Sequence, residues 1–113
     1  MARALGGDYT LKIERGYPPL HNHADVVDEI RTTARELLGG EGLGPSKPSM
    51  GAEDFSYMTQ QCAGAMFRLG VKPADAPARY LHTADFNLDE DALPLGAAML
   101  AATALRLMAR TTG

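Results

Sequence analysis

Three histidines and a scatter of carboxylates are the side chains of this sequence best suited to chemistry. His21, His23 and Asp25 spell H-x-H-x-D, a spacing that in some metal-dependent hydrolases brings two imidazoles and a carboxylate to a strand end around a cation. Such a site needs further ligands downstream, and His82 is the one histidine left to supply them. The same residues also read as a polar connector whose Asn22 or Asp25 caps the following helix, and that reading carries the greater weight. His82 lies between Tyr80-Leu81 and Thr83-Ala84-Asp85-Phe86, where a neutral imidazole could bind a metal and Asp85 could fix its tautomer. Alone, a histidine is more often a surface or core residue.

Glu53 and Asp54 are adjacent carboxylates at an expected helix start, where free N–H groups and the helix dipole favour the ionised form. Capping explains at least one of them. Ser49 and Ser56 have no histidine–acid arrangement beside them, so no serine nucleophile is indicated. Gly39-Gly40-Glu41-Gly42-Leu43-Gly44 lacks the preceding strand and following helix of a dinucleotide loop, and reads as a helix stop running into a loop. Cys62, the single cysteine, can form no intramolecular disulfide and is expected to be a small buried apolar residue.

These residues need elements to position them. Tyr9, Leu11 and Ile13 alternate with Thr10, Lys12 and Glu14, the period of a half-buried strand. Tyr17-Pro-Pro-Leu-His-Asn-His23 cannot continue a ladder through two prolines and serves as a connector and hinge. Residues 24 to 38 form an amphipathic helix, with Val26, Val27, Ile30, Ala34, Leu37 and Leu38 on its apolar side and Gly39-Gly40 as its stop. Glu41 to Ser49 is a loop, followed by a short helix to about Gln61 and an apolar strand over residues 64 to 69. A second loop, Val71 to Tyr80, leads towards the last helix, residues 91 to 110. Its expected inner face is Leu93, Ala97, Leu100, Ala101, Ala104, Leu107 and Met108. The helices should pack on one side of a sheet containing residues 64 to 69. Two strands do not make a self-sufficient sheet, so partners must come from another copy or from sequence outside these residues.

The chain of 113 residues is the size of one domain, and 45% hydrophobic with 22% charged residues is an ordinary globular mixture. A net charge of −3 with no basic run gives no nucleic-acid footprint. The longest uncharged stretch, Ala92 to Leu105, is shorter than the roughly 20 residues a bilayer requires, so no membrane span is expected. The first residues lack an apolar block, and the expected location is the cytoplasm.

Four segments taken in order, Gly16 to Asn22, Met50 to Ser56, Gly64 to Gly70 and Leu81 to Gly96, resemble the C-terminal portion of the M20 metallopeptidase family. The branch they look most like is the amidohydrolases that include hippurate hydrolases, N-acyl amino acid deacylases and indole-acetyl amino acid hydrolases. The resemblance implies an α/β fold, the C-terminal part of a zinc-peptidase-like catalytic domain with helices packed on a partial sheet. The last strand of a lid or dimerisation domain would precede it. Residues 1–21 would end the lid and residues 22–113 would form the returning catalytic segment.

By the same resemblance, His82 is a metal ligand and the loop with Gly51, Glu53 and Asp54 lies beside the active site, orienting substrate or the groups around it. The family's other ligands, its metal-bridging carboxylate and its general-base glutamate lie upstream of the matched region, so no catalytic residue is assigned here. The complete enzyme would use zinc or manganese to hydrolyse an N-acyl amino acid or a small peptide. This chain alone would hold no metal tightly and would be inactive, needing a missing N-terminal half or forming a homo-oligomer. The alternatives are a non-catalytic dimerisation or interaction module, and a small metal site made from His21, His23 and His82.

Overall fold

In the computed structural model residues 1–45, 47–77 and 79–111 are described. Helix α1 spans Ala24–Leu38, the bounds its periodicity predicts. Val26, Thr33 and Ala34 are buried on its inner side, whereas Leu37, expected on that side, is 45% exposed. The helix ends where Gly39 takes φ 73° and its N–H donates to the Arg35 carbonyl at 3.0 Å. Glycine enters this left-handed region without a Cβ clash, so the Gly39-Gly40 stop works as expected.

The start of α1 differs from expectation. His23 is the cap residue, in extended conformation, and no side chain caps the helix. The Asn22 amide turns instead to the backbone of Met66, donating from Nδ2 to its carbonyl and accepting from its N–H at Oδ1, both at 2.9 Å. The His23 N–H adds a bond to the Gly64 carbonyl at 3.0 Å. A short polar side chain that can serve as donor and acceptor at once has found a backbone edge, which satisfies more groups than a helix cap would.

Helix α2, Phe55–Thr59, is shorter than its expected extent to Gln61. An edge-to-face contact of Tyr57 with Tyr17, ring centroids 5.7 Å apart, ties it to the connector. Helix α3, Ala92–Thr111, packs against α1. Its inner side is Ala92, Met99 and Thr103, flanked by Leu95, Gly96, Ala102 and Arg106. That corrects the expected face: of the residues assigned to it, Leu107 is half-buried, but Leu93, Leu100 and Met108 are 58%, 64% and 66% exposed and Ala104 is exposed. The helix is apolar nearly all round, so its period does not choose a side. Arg106 does, because its ion pairs with Glu29 and Glu36 of α1 fix the rotation of α3. Gly96 lets the segment with Leu69 lie close against α3, since a Cβ there would stand 3.1 Å from Leu69 Cδ2.

Among the described residues there is no strand, so neither expected strand, Tyr9 to Glu14 nor 64 to 69, has a ladder partner. Tyr9, Leu11 and Ile13 are 60%, 70% and 74% exposed. A strand is defined by its neighbours, and among the described residues no segment forms a ladder with either of these two. The expected α/β layer is thus a helical framework with two unpaired segments. The expected loops occur on either side of Ser46 and Ala78, which with Thr112 and Gly113 lie outside the described residues. The radius of gyration is 20.0 Å, against about 13 Å for a compact chain of this length. The accessible surface is 9565 Å², where about 6000 Å² is usual for this mass. Much apolar surface is left uncovered.

Candidate functional site

A groove of about 1320 Å³ runs between the connector Gly16 to Asn22, the inner face of α1, the loop from Gly42 to Glu53 and residues 66–69, with Met99 of α3 among its lining residues. Gly51, Glu53 and His21 line it; Asp54 and His82 do not. The loop reaches the groove because α2 anchors its end. Glu53 Oε1 accepts from the Phe55 N–H at 3.1 Å, and the Glu53 carbonyl accepts from the Ser56 N–H at 3.3 Å and from Ser56 Oγ at 2.6 Å. Ser56 is fully buried by this. Glu53 is therefore the capping carboxylate of α2 and half-buried, while Asp54 stands at the cap position with no side-chain cap bond and is exposed. Gly51 donates its N–H to Ser49 Oγ at 3.2 Å.

His82 occupies a different place. It is exposed, in a turn between the second loop and α3, and is the one non-glycine described residue with positive φ, at 67°. Left-handed backbone costs a residue with a Cβ about 1 kcal/mol, although histidine is among the types that adopt it more readily. The surrounding bonds hold the turn there. Thr83 Oγ1 donates to the Tyr80 carbonyl at 2.8 Å, the Phe86 N–H to the Thr83 carbonyl at 3.2 Å, and Arg79 Nη1 to the Asp85 carbonyl and Oδ2 at 2.6 and 3.2 Å. Asp85, expected to orient His82, is thus the partner of Arg79. The neighbours Leu81 and Phe86, with Arg79, line a smaller pocket of about 240 Å³.

Among the described residues no three His, Cys, Asp or Glu side chains come together to hold a metal. The H-x-H-x-D reading fails on that geometry, as does a site built from His21, His23 and His82. A divalent cation held against water needs several converging donors, so the residues present do not fit a metal by themselves. Cys62, expected to be buried, is exposed, its thiol donating to the Met58 carbonyl at 3.6 Å.

The strongest electrostatic feature lies away from the groove, and sequence reading missed it. Arg106 donates from Nε to Glu29 at 2.9 Å and from Nη1 to both oxygens of Glu36 at 2.9 and 3.0 Å, and Arg110 donates to Glu29 at 2.7 Å. The Arg106 and Arg110 hydrogen bonds hold the Glu29 carboxyl below its usual range, and Glu29 raises Arg106 in turn. The two acids stand seven residues apart on one side of α1 and the two arginines four apart near the end of α3, a pattern visible in the sequence only once the two helices are known to be neighbours.

A family model described as peptidase family M20/M25/M40 matches residues 6–106. A protein of Rhodococcus jostii named as a glutamate–cysteine ligase 2-3 is 36% identical over 94 residues, which are 83% of this chain and 12% of that protein. The IAA-amino acid hydrolase ILR1-like 2 of Arabidopsis thaliana is 33% identical over 80% of this chain and 21% of its own length. The N-acetyldiaminopimelate deacetylase of Streptococcus sanguinis is 36% identical over 83% of this chain and 24% of its own. The chain thus spans between one-eighth and one-quarter of the length of the relatives it matches.

Proposed function

The chain belongs to peptidase family M20/M25/M40, and from that premise we propose that it is the C-terminal part of a metal-dependent amidohydrolase that cleaves the amide of N-acyl amino acids or similar small substrates. Two of the matched relatives carry names of that chemistry, an IAA-amino acid hydrolase and an N-acetyldiaminopimelate deacetylase. In this reading residues 1–21 close a lid or dimerisation domain and residues 22–113 return to the catalytic domain. The protein acts in the cytoplasm, with α3 as a core helix. By length and composition α3 could cross a bilayer. However, Arg106 lies within that span and is ion-paired to the charged helix α1, which lipid could not accommodate without large cost.

The observation that carries the reading is His82, an exposed imidazole on a left-handed residue that Arg79 and Thr83 hold in place. Strain maintained by surrounding bonds is typical of residues placed for function. His82 is proposed as a ligand of the divalent metal, zinc or manganese, that M20 enzymes use. The remaining ligands and the base are not among the described residues, so the chain alone is inactive. Gly51, Glu53 and Asp54 are assigned to the substrate side, where the α2 cap limits the freedom of Glu53.

Complementation tests this. The chain mixed with an N-terminal M20 segment and zinc or manganese should hydrolyse N-acyl amino acids, and neither part should do so alone. Full activity of a complemented enzyme carrying His82→Ala would overturn the assignment. A second reading, a non-catalytic dimerisation module, draws on the exposed apolar face of Tyr9, Leu11 and Ile13. Self-association in light scattering that persists without any N-terminal segment, with no hydrolysis after its addition, would favour that module.

A further inference from the structure

The connector Tyr17 to His23, expected as a hinge, is tied down at both ends. Downstream, Asn22 bonds both backbone groups of Met66, and the His23 N–H donates to the Gly64 carbonyl. Upstream, the Tyr17 ring stands edge-to-face on Tyr57 of α2, centroids 5.7 Å apart. Between these anchors Pro18 and Pro19 fix their own φ and hold the residue before each of them extended. A hinge needs residues that can absorb a change of φ and ψ, and this stretch offers few.

The two anchors meet in one small body. A Cβ at Gly64 would stand 3.5 Å from Phe55 Cζ and 3.5 Å from Thr59 Cγ2, so α2 packs directly on the segment that holds Asn22 and His23. Helix α2 in turn carries the Glu53 loop, through the Phe55 N–H on Glu53 Oε1 and the buried Ser56 hydroxyl on the Glu53 carbonyl. Every contact in this body is made within the chain itself. Before Tyr17 the restraints stop. Residues 10–16 are exposed and make no backbone hydrogen bond among the described residues, and at Gly16 a Cβ would meet nothing within 4 Å. Glycine is also the residue whose backbone turns most freely.

We propose that the chain pivots at Gly16 rather than within the connector, and that Tyr17 acts as a lever, passing movement of the residues upstream through Tyr57 and α2 to the loop with Gly51 and Glu53. Residues 17–21 then move with the segment that follows them, not with the one they end. Tyr17 and Tyr57 are 53% and 51% exposed, so their contact can break and re-form without opening a core. The inference rests on the reading above only in placing that loop on the substrate side.

The test uses the full chain and reads backbone order parameters by nitrogen relaxation together with amide hydrogen exchange. Order parameters should stay below about 0.6 up to Gly16 and step to about 0.85 at Tyr17, Leu20 and Asn22. In Tyr57→Ala the value at Tyr17 should fall below about 0.6 while Asn22 keeps its own, and exchange at Phe55 and Ser56 should quicken about two- to tenfold, with α-helical circular dichroism unchanged. Tyr17→Ala should quicken the same two amides, and the double variant should do no more than either, as for residues that act through one contact. Tyr57→Phe keeps the ring and should change little. Order parameters below about 0.6 at Leu20 to Asn22 would return the hinge to the connector and overturn the proposal. So would unchanged exchange at Phe55 and Ser56 in Tyr57→Ala, additive effects in the double variant, or a Tyr57→Phe variant that behaves like the alanine. None of these readouts uses hydrolysis, so their failure would leave the amidohydrolase reading standing, and an inactive complemented enzyme would leave the lever standing.

Discussion

Arg106 Nε lies 2.9 Å from Glu29 Oε2, and this contact joins α3 to the middle of α1. Held by the Arg106 bond and by Arg110 on its other oxygen, the Glu29 carboxyl stays ionised to lower pH than a free glutamate. Its carboxyl is held below the ordinary value of 4.5, so the folded state binds that proton less readily than the unfolded chain. The contribution is present in full above pH about 4.5 and is lost as the pH falls through the lower folded value. The expected outcome is that Glu29→Gln lowers the urea midpoint at pH 7 and flattens its fall on acidification. Because both arginines are partly exposed, added salt should shrink the difference. Urea titrations of both proteins followed by circular dichroism, at pH 7 and at pH 3.5, check this.

Asn22 and Met66 form the tether between the connector and the segment beneath the groove. Asn22→Ala removes both bonds and should destabilise by about 1 kcal/mol, the lower end for two hydrogen bonds near solvent. Asn22→Asp keeps the acceptor for the Met66 N–H but not the donor, and should lie between. Urea titration orders the three proteins, and faster amide exchange at Met66 in Asn22→Ala would locate the effect.

Thr33 on α1 and Thr103 on α3 are buried, and neither hydroxyl has a hydrogen-bond partner among the described residues. An unpaired buried hydroxyl costs about 1 to 3 kcal/mol, and valine has the same shape without it. Thr33→Val and Thr103→Val should each raise stability by about 1 kcal/mol. A thermal melt that moves down in either variant would show that the hydroxyl has a partner.

Helices α1 and α3 were legible in the sequence because each carries its own boundary signals, with Gly39-Gly40 closing α1 at the expected residue, whereas α2 is shorter than its expected extent. The rotation of α3 was not, since a helix apolar on all sides needs Arg106 and its distant partners to orient it. The strands were not recovered as strands because pairing is a property of two segments, and Tyr9 to Glu14 and 64 to 69 have no partner here. At the candidate site the sequence offered Glu53 and Asp54 alike as caps, of which Glu53 serves, and offered Asn22 with Asp25 as a cap of α1, because a cap and a backbone edge ask the same chemistry of an amide. His82 could be singled out by type and by resemblance, whereas its left-handed backbone is a property of the turn that Arg79 spans.

That turn allows position 82 to be tested for function separately from stability. Glycine adopts φ 67° without the Cβ clash, so His82→Gly should hold its stability or gain up to about 1 kcal/mol despite the added freedom of the unfolded chain. In a complemented enzyme the same substitution should abolish hydrolysis, because the imidazole is gone while the turn remains. A residue placed only for structure would show the opposite pattern, losing stability and keeping turnover. His82→Asn separates backbone from ring once more: asparagine tolerates the left-handed region and should fold normally, yet its amide is a poor metal ligand and activity should stay lost. Melting points that hold or rise by up to about 5 °C, alongside at least a hundredfold fall in complemented turnover, would match the proposed role.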